Sequence, residues 1–384
     1  MSQGMEDQIT RMLSSSSFAL IGAGQLGEMA VDLWPESVPQ PKLILDSNRT
    51  GHCRGIRIDN LQAHHPDPAT VYLLSTFKLP PEDVEKIFRQ LGQPMVLTVY
   101  DLFSRYCPDK FSNGWRCLES EQAKSDHVKA ARNCFSDQRS LDVFDAAVAW
   151  RYRRELRQGF TCEPEATKYH ISRLAAEQTR YDLVMDCGSY DLSFAKNLEI
   201  SGTSVGRYVA FEPDDQNFDR CLAAAGTLKP LTAEAVVLER KALSSEQASV
   251  PFFNLGLLSS RFAPSTSTRS EGPITWVPTT TLDQYLDSAK ELVAPLNALL
   301  KLHIEGAEYA ALIGGEQFIS RCRPDMFINL SHDEESLLGI PVYLKARWDY
   351  DLKLVGHSLF GEGITLVAKR RTAGMPAPTG TSLV

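Results

Sequence analysis

The sequence predicts an α/β protein: two Rossmann-like units joined by a helical connector. Three observations predict it. A short apolar strand runs into a glycine-rich turn near the N-terminus, a central stretch lacks strands, and in the C-terminal half apolar runs alternate with helical patterns. At 384 residues the chain is too long for one compact core, and its 43% hydrophobic content can fill two.

The first unit spans residues 16–105. SFALIGAGQLGEMAVDLW is a strand, then Gly22-x-Gly24-x-x-Gly27, then a helix; PKLILDSN follows as a second strand ending at Asp46. This order is a dinucleotide-binding pattern, in which glycines let the backbone approach a pyrophosphate and the acid takes ribose hydroxyls. TVYLLST reads as a third strand, PPEDVEKIFRQLG as a helix and MVLTVY as a fourth strand. The unit is half of a full dinucleotide fold, so Gly22, Gly24, Gly27 and Asp46 make a weak second nucleotide site, for a nucleotide or nucleotide-sugar. The same glycines also suit plain tight packing of helix on strand.

Residues 106–180 read as the connector, with Leu141, Phe144, Val148 and Tyr152 on one helical stripe. The basic cluster RYRRELR is expected to be a solvated helix face. From 181 to 371 the runs DLVMDCGSY, YVAFEP, EAVVLERKAL, ALLKLHIEG and DMFINLSH are strands of a parallel sheet, with a loop-rich insertion reaching to 280. YDLKLVGHS and GITLVAKR, joined by LFGEG, form a terminal antiparallel hairpin. The tail, 372–384, is rich in Pro, Gly, Ser and Thr and is expected to be disordered.

Composition excludes several classes. The eight cysteines contain no C-x-x-C pair, which argues against a zinc ribbon or dithiol centre and for reduced thiols. A formal charge of −8 without a dense basic tract argues against nucleic acid. No long apolar run and no basic-then-apolar N-terminus supports a membrane span or a signal peptide, so a cytoplasmic location is expected.

The informative residues sit at strand ends. Asp186, Gly188, Tyr190 and Asp191 follow the first strand of the C-terminal unit, and Glu212 closes the second. A glycine turn admits a cofactor, and a carboxylate closing the next strand can accept both hydroxyls of a ribose. With the terminal hairpin, this arrangement fits a class I S-adenosylmethionine (SAM) methyltransferase better than a dehydrogenase.

VMDCGSYD, YVAFEPDDQNF, RKALSS, VPTTTLDQYL, KLHIEGAEYAAL and INLSHDEESLLGIPVYLK resemble the FkbM family of SAM-dependent methyltransferases, in its longer form with an N-terminal Rossmann-like domain. The resemblance runs over about residues 181–370. It implies methyl transfer from SAM to a hydroxyl of a sugar or secondary metabolite, with Asp186 and Gly188 lining the cofactor and Glu212 on its ribose. Two positions depart from the family pattern. Leu192 stands where a second glycine is usual, and its side chain is expected to crowd the methionine end of SAM. His303 stands where Asp is usual.

In KLHIEGAEYAAL, His303 ends a strand at the ligand-binding edge, with Glu305 and Glu308 just beyond; His332 ends the next strand. An imidazole of ordinary pKa suits general-base work on an acceptor hydroxyl, so His303, Glu305 and His332 are the catalytic candidates. Glu308 reads first as a helix cap. The two histidines with Glu305 and Asp333 could instead collect a divalent metal, but the spacing matches no known cage and no metal is assigned. Two further readings stay open: a methyltransferase fold kept as a non-catalytic ligand-binding module, and an NAD-linked oxidoreductase using the first glycine turn. The first unit would bind a nucleotide-linked part of the acceptor or serve assembly of a homo-oligomer.

Overall fold

The computed structural model describes residues 3–77, 79–107, 122–157, 160–164, 167–174, 180–228, 236–254, 261–262, 274–289, 296–361 and 363–370. The tail expected to be disordered lies outside these residues, as do parts of the connector and of the insertion.

The N-terminal sheet has the strands β1 (Phe18–Ile21), β2 (Leu43–Asp46), β3 (Gly51–Cys53), β4 (Ile56–Asn60) and β5 (Val71–Leu74), in the order β3-β4-β2-β1-β5. β1 lies between β2 and β5, parallel to both. All four β1 residues are buried, as a strand covered on both faces requires. Two features were not legible in the sequence: the helix Gln3–Leu13, which buries Ile9 and Leu13, and the β3–β4 hairpin. MVLTVY is not a fourth strand. Only Thr98 bridges to Leu74, and a helix, Val99–Tyr106, starts at once because Thr98 and Asp101 form a capping box.

The connector supplies the helices Ser125–Arg132 and Gln138–Val148, the second running into a π-helical turn over Ala149–Arg153. Phe144, Val148 and Tyr152 are buried, as the stripe predicts. The basic cluster is not a solvated face. Arg151 is buried and donates to the carbonyls of Ser331 and Gly361. Arg154 pairs with the buried Asp101 and lies 4.8 Å over the Trp150 ring. Both cations tie the connector to the units on either side.

The C-terminal sheet holds β6 (Arg180–Cys187), β7 (Ser204–Phe211), β8 (Val236–Glu239), β13 (Ala298–Leu302), β14 (Asp325–Asn329), β15 (Asp351–Gly356) and β16 (Ile364–Lys369). Their order is β15-β16-β14-β13-β6-β7-β8. β13, β6, β7, β8 and β14 run parallel, and β16 pairs antiparallel with β14 and β15, so the expected hairpin is present. The chain leaves β6 toward β7 and later returns to its other side as β13. Strand order therefore reverses at β6, and the crevice beyond the carboxyl ends of β6 and β13 is where such sheets take ligands.

The insertion is more ordered than a loop. β9 (Ala242–Leu243), β10 (Ser249–Phe253), β11 (Arg261–Phe262) and β12 (Ile274–Thr280) form a small sheet in the order β11-β10-β12-β9. The described cysteines are free thiols, and no helix among the described residues is long and apolar enough to cross a membrane.

Candidate active site

The turns after β6 and β13 are pressed together. Gly188 has φ +79°, and a Cβ on it would come within 1.9 Å of the His303 carbonyl oxygen, so only glycine fits. Lys301 and Asp186 face each other in register across β13 and β6, with Lys301 Nζ 2.9 Å from Asp186 Oδ1. Lys301 Nζ also donates to the Gly188 carbonyl at 2.6 Å, and Asp186 Oδ2 accepts from the Tyr208 hydroxyl at 2.5 Å. Asp186 is fully buried and its partners are internal, so it braces the glycine turn instead of lining the cleft. Cys187 is buried and burial pushes its thiol well up, as befits a core filler.

A cleft opens at this edge. Tyr190, Phe211, Glu212, Asn217 and Leu243 line one side, Phe252 of the insertion adds a wall, and His303 and Glu305 close the other. Glu212 ends β7 almost fully buried. Its Oε2 accepts from Tyr190 N at 2.9 Å and its Oε1 from Asp214 N at 3.0 Å. Burial pushes its carboxyl up to about 7 against the pull of those two bonds. A carboxylate holds about four acceptor sites, so two remain for a ligand.

Opposite, the turn after β13 is built by Glu308, which accepts from Ile304 N at 2.8 Å and Gly306 N at 3.0 Å. It does not cap the helix Glu308–Ile313, whose N-cap Ala307 makes no side-chain bond; it ties down the turn ahead of that helix instead. Its Oε1 also lies 2.8 Å from His332 Nδ1. Glu305 Oε1 sits 3.5 Å from His303 Nε2 and 3.3 Å from His332 Nε2, while His303 Nδ1 meets the Tyr169 hydroxyl at 2.7 Å. The three catalytic candidates are thus brought together, although only His303 and Glu305 reach the cleft.

Their protonation corrects the general-base expectation for His303. Burial first, and the Lys168 cation second, lower its pKa to about 3, so it is a neutral and weak base at pH 7. For His332 burial acts the same way, but the Glu308 and Glu305 carboxylates outweigh it and hold the ring protonated. Glu308 in turn is lowered to about 2: burial opposes this, and His332 and two backbone N–H groups prevail.

Leu192 does not crowd the cleft. It caps the helix Ser193–Ile200 with φ +58°, and its side chain is buried in the core with Phe194, Leu198 and Tyr208. Asp191 lies beside it, outside the cleft lining, where it accepts from Ser193 N. His357 is also structural, with Nδ1 3.3 Å from the Glu163 carbonyl.

In the N-terminal unit, Asp46 spends its carboxylate on its own chain. Oδ2 accepts from Ala23 N, and Oδ1 from Asn48 N and Arg49 N. Burial raises its pKa, but those three bonds together lower it below the ordinary value. A Cβ on Gly27 would lie 2.2 Å from the Gly22 carbonyl oxygen, and one on Gly22 would strike Thr76. Close packing of helix on strand accounts for both glycines without a ligand.

Four contributors escaped the sequence reading. Tyr169 and Lys168, in the connector, reach His303 from 134 residues away in the case of the tyrosine, with no motif to mark them. Phe252 comes from the insertion. Lys301 stands four residues before Glu305 in K-x-x-x-E-G-A-E, and the in-register Asp186 is the signal that could have revealed its role.

A parallel sheet reversing at β6, a glycine turn, a carboxylate closing β7 and an antiparallel terminal hairpin define a methyltransferase-type α/β domain. Residues 186–352 match the family model described as Methyltransferase FkbM domain, so the C-terminal unit carries that methyltransferase domain. The crystal structure of methyltransferase FkbM from Methylobacillus flagellatus KT is similar over 96% of this chain and 94% of that one, with a TM-score of 0.63 at 16% identity. That likeness extends the shared fold through the N-terminal unit. An rRNA methylase from Streptococcus thermophilus covers 50% of this chain and 88% of its own at 11% identity, with a TM-score of 0.29 too low to bear on the fold. No curated protein shows significant similarity.

Proposed function

We propose that this protein is a SAM-dependent O-methyltransferase acting on a hydroxyl of a sugar or small polar metabolite. The observation that carries the reading is Glu212, a buried carboxylate at the β7 end with acceptor sites left over, in a cleft walled by Tyr190, Phe211 and Phe252. That acceptor and wall set fits a nucleoside, with hydroxyls donating to the carboxylate and a flat base between apolar faces. SAM, when bound, supplies a methyl carbon on a sulfonium.

The chain's own residues position and deprotonate. Direct displacement gains most from holding donor and acceptor in line, and the rigid pair of turns at Gly188 and His303 supplies fixed walls for that. Glu305 Oε2 is buried and makes no hydrogen bond, so it is the atom this wall offers to an acceptor hydroxyl and its proton. His303, neutral and held by Tyr169, orients and does not abstract.

The test is product mass spectrometry with SAM and a panel of sugars and hydroxylated metabolites. Methylation that falls at least about 100-fold in Glu305→Gln supports the reading, in line with the worth of a positioned acid or base. Binding of SAM without turnover on any acceptor would favour the non-catalytic module.

A further inference from the structure

We propose that His303, Glu305 and His332 form a binding site for one divalent transition-metal ion at the edge of the cleft. The ligand atoms of the three residues lie within 4.8 Å of one another. Glu305 Oε1 stands 3.5 Å from one Nε2 and 3.3 Å from the other. Two ligands at bonds of about 2.1 Å, set at a tetrahedral angle, are themselves about 3.4 Å apart.

The outer contacts make the same point independently. Metal-binding histidines characteristically tie their second ring nitrogen to a carboxylate or another polar group, which turns the first nitrogen inward. His332 Nδ1 is held by Glu308 at 2.8 Å and His303 Nδ1 by the Tyr169 hydroxyl at 2.7 Å. Both Nε2 atoms are thereby aimed at one carboxylate. His332 Nε2 and Glu305 Oε2 are buried without a hydrogen bond. Glu305 is also kept in the left-handed region at φ +56°, a strained conformation for a non-glycine residue that gathers at functional sites. An ion would displace the weak contact of Asn329 Nδ2, 3.4 Å from His303 Nε2, and the proton that His332 holds toward Glu305.

Two imidazoles with one carboxylate select Zn²⁺, Ni²⁺, Co²⁺ or Fe²⁺ over Mg²⁺ and Ca²⁺, which prefer oxygen. Coordination positions left open face the cleft, because His303 and Glu305 line it. A substrate oxygen is the ligand they would take. The competing account is a plain ion pair, with a proton on His332 shared between Glu305 and Glu308.

The full chain, stripped with a chelator and titrated calorimetrically with Zn²⁺, Ni²⁺ and Mg²⁺ in the absence of SAM, decides between them. One Zn²⁺ or Ni²⁺ per chain is expected, with Mg²⁺ weaker by at least about 100-fold. Glu305→Gln and His332→Gln should each lose at least about 100-fold in affinity. Tyr169→Phe, which keeps the ring against Phe194 and Phe327, should lose about 10-fold. Cobalt absorption bands of the unmodified chain give a readout that does not depend on any variant folding. Absence of stoichiometric binding, or equal affinity in Glu305→Gln and His332→Gln proved folded by circular dichroism, overturns the site. Neither result bears on the binding of SAM, since no donor is present.

Discussion

Glu212 is almost fully buried at the cleft, and it is the residue proposed to hold a ribose. Its carboxyl is raised from 4.5 to about 7 by burial, so between those values the folded chain binds more protons than the unfolded one. Stability contributed by this group is therefore greatest at low pH and falls as pH rises through that window, by at most about 3 kcal/mol. Urea unfolding at pH 5 and pH 8 should show this slope in the native chain and a flatter one in Glu212→Gln. The same variant should bind S-adenosylhomocysteine about 10- to 100-fold more weakly, the worth of charge-assisted bonds to ribose. Leu192 makes the opposite prediction. Leu192→Gly relieves a left-handed residue, worth about 1 kcal/mol, but empties a buried site worth about 2–5 kcal/mol. The variant should be less stable by about 2–3 kcal/mol in thermal unfolding, with ligand affinity within about threefold of native. A tenfold gain in affinity would restore the idea that Leu192 crowds the donor.

Among elements, the connector binds the architecture together. The Arg154–Asp101 pair joins its π-helical turn to the helix Val99–Tyr106, and both partners are almost fully buried. Removing one partner strands the other charge, so Arg154→Met is expected to cost about 3–5 kcal/mol in urea unfolding while leaving the cleft's ligand affinity unchanged. A loss under about 1 kcal/mol would mean water reaches the pair after all. The turn after β13 is the counterpart in the C-terminal unit. Glu308 satisfies two backbone N–H groups there and orients His332 through the same carboxylate, so one side chain both shapes the turn and aims the imidazole.

At the scale of the molecule, what was legible in the sequence is what lies close along the chain. Gly188 and the strand-closing Glu212 could be read because a glycine turn and the next strand end are separated by one βαβ step, and their spacing carries the geometry. The alternation of strand and helix likewise gave the parallel sheet and its hairpin. Partners far apart in sequence were not legible. Arg151 looked solvated because its carbonyl acceptors lie 180 and 210 residues on. The depressed basicity of His303 depends on Lys168 and on burial, neither of which a strand-end histidine announces. Leu192 was misjudged because the direction of a side chain at a left-handed helix cap follows from backbone conformation, which residue type alone does not reveal. Asp46 kept the right place in its pattern, yet its oxygens serve the turn beside it.

On the proposed reading, a nucleoside lies at the carboxyl edge of the C-terminal sheet with its sugar on Glu212. A crystal structure of the chain grown with S-adenosylhomocysteine tests it most directly. Ribose hydroxyls within hydrogen-bond distance of the Glu212 carboxylate, and the sulfur facing the His303–Glu305 wall, are the predicted result. Ligand bound instead at the Gly22–Gly27 turn, or an empty cleft at millimolar ligand, would contradict the account.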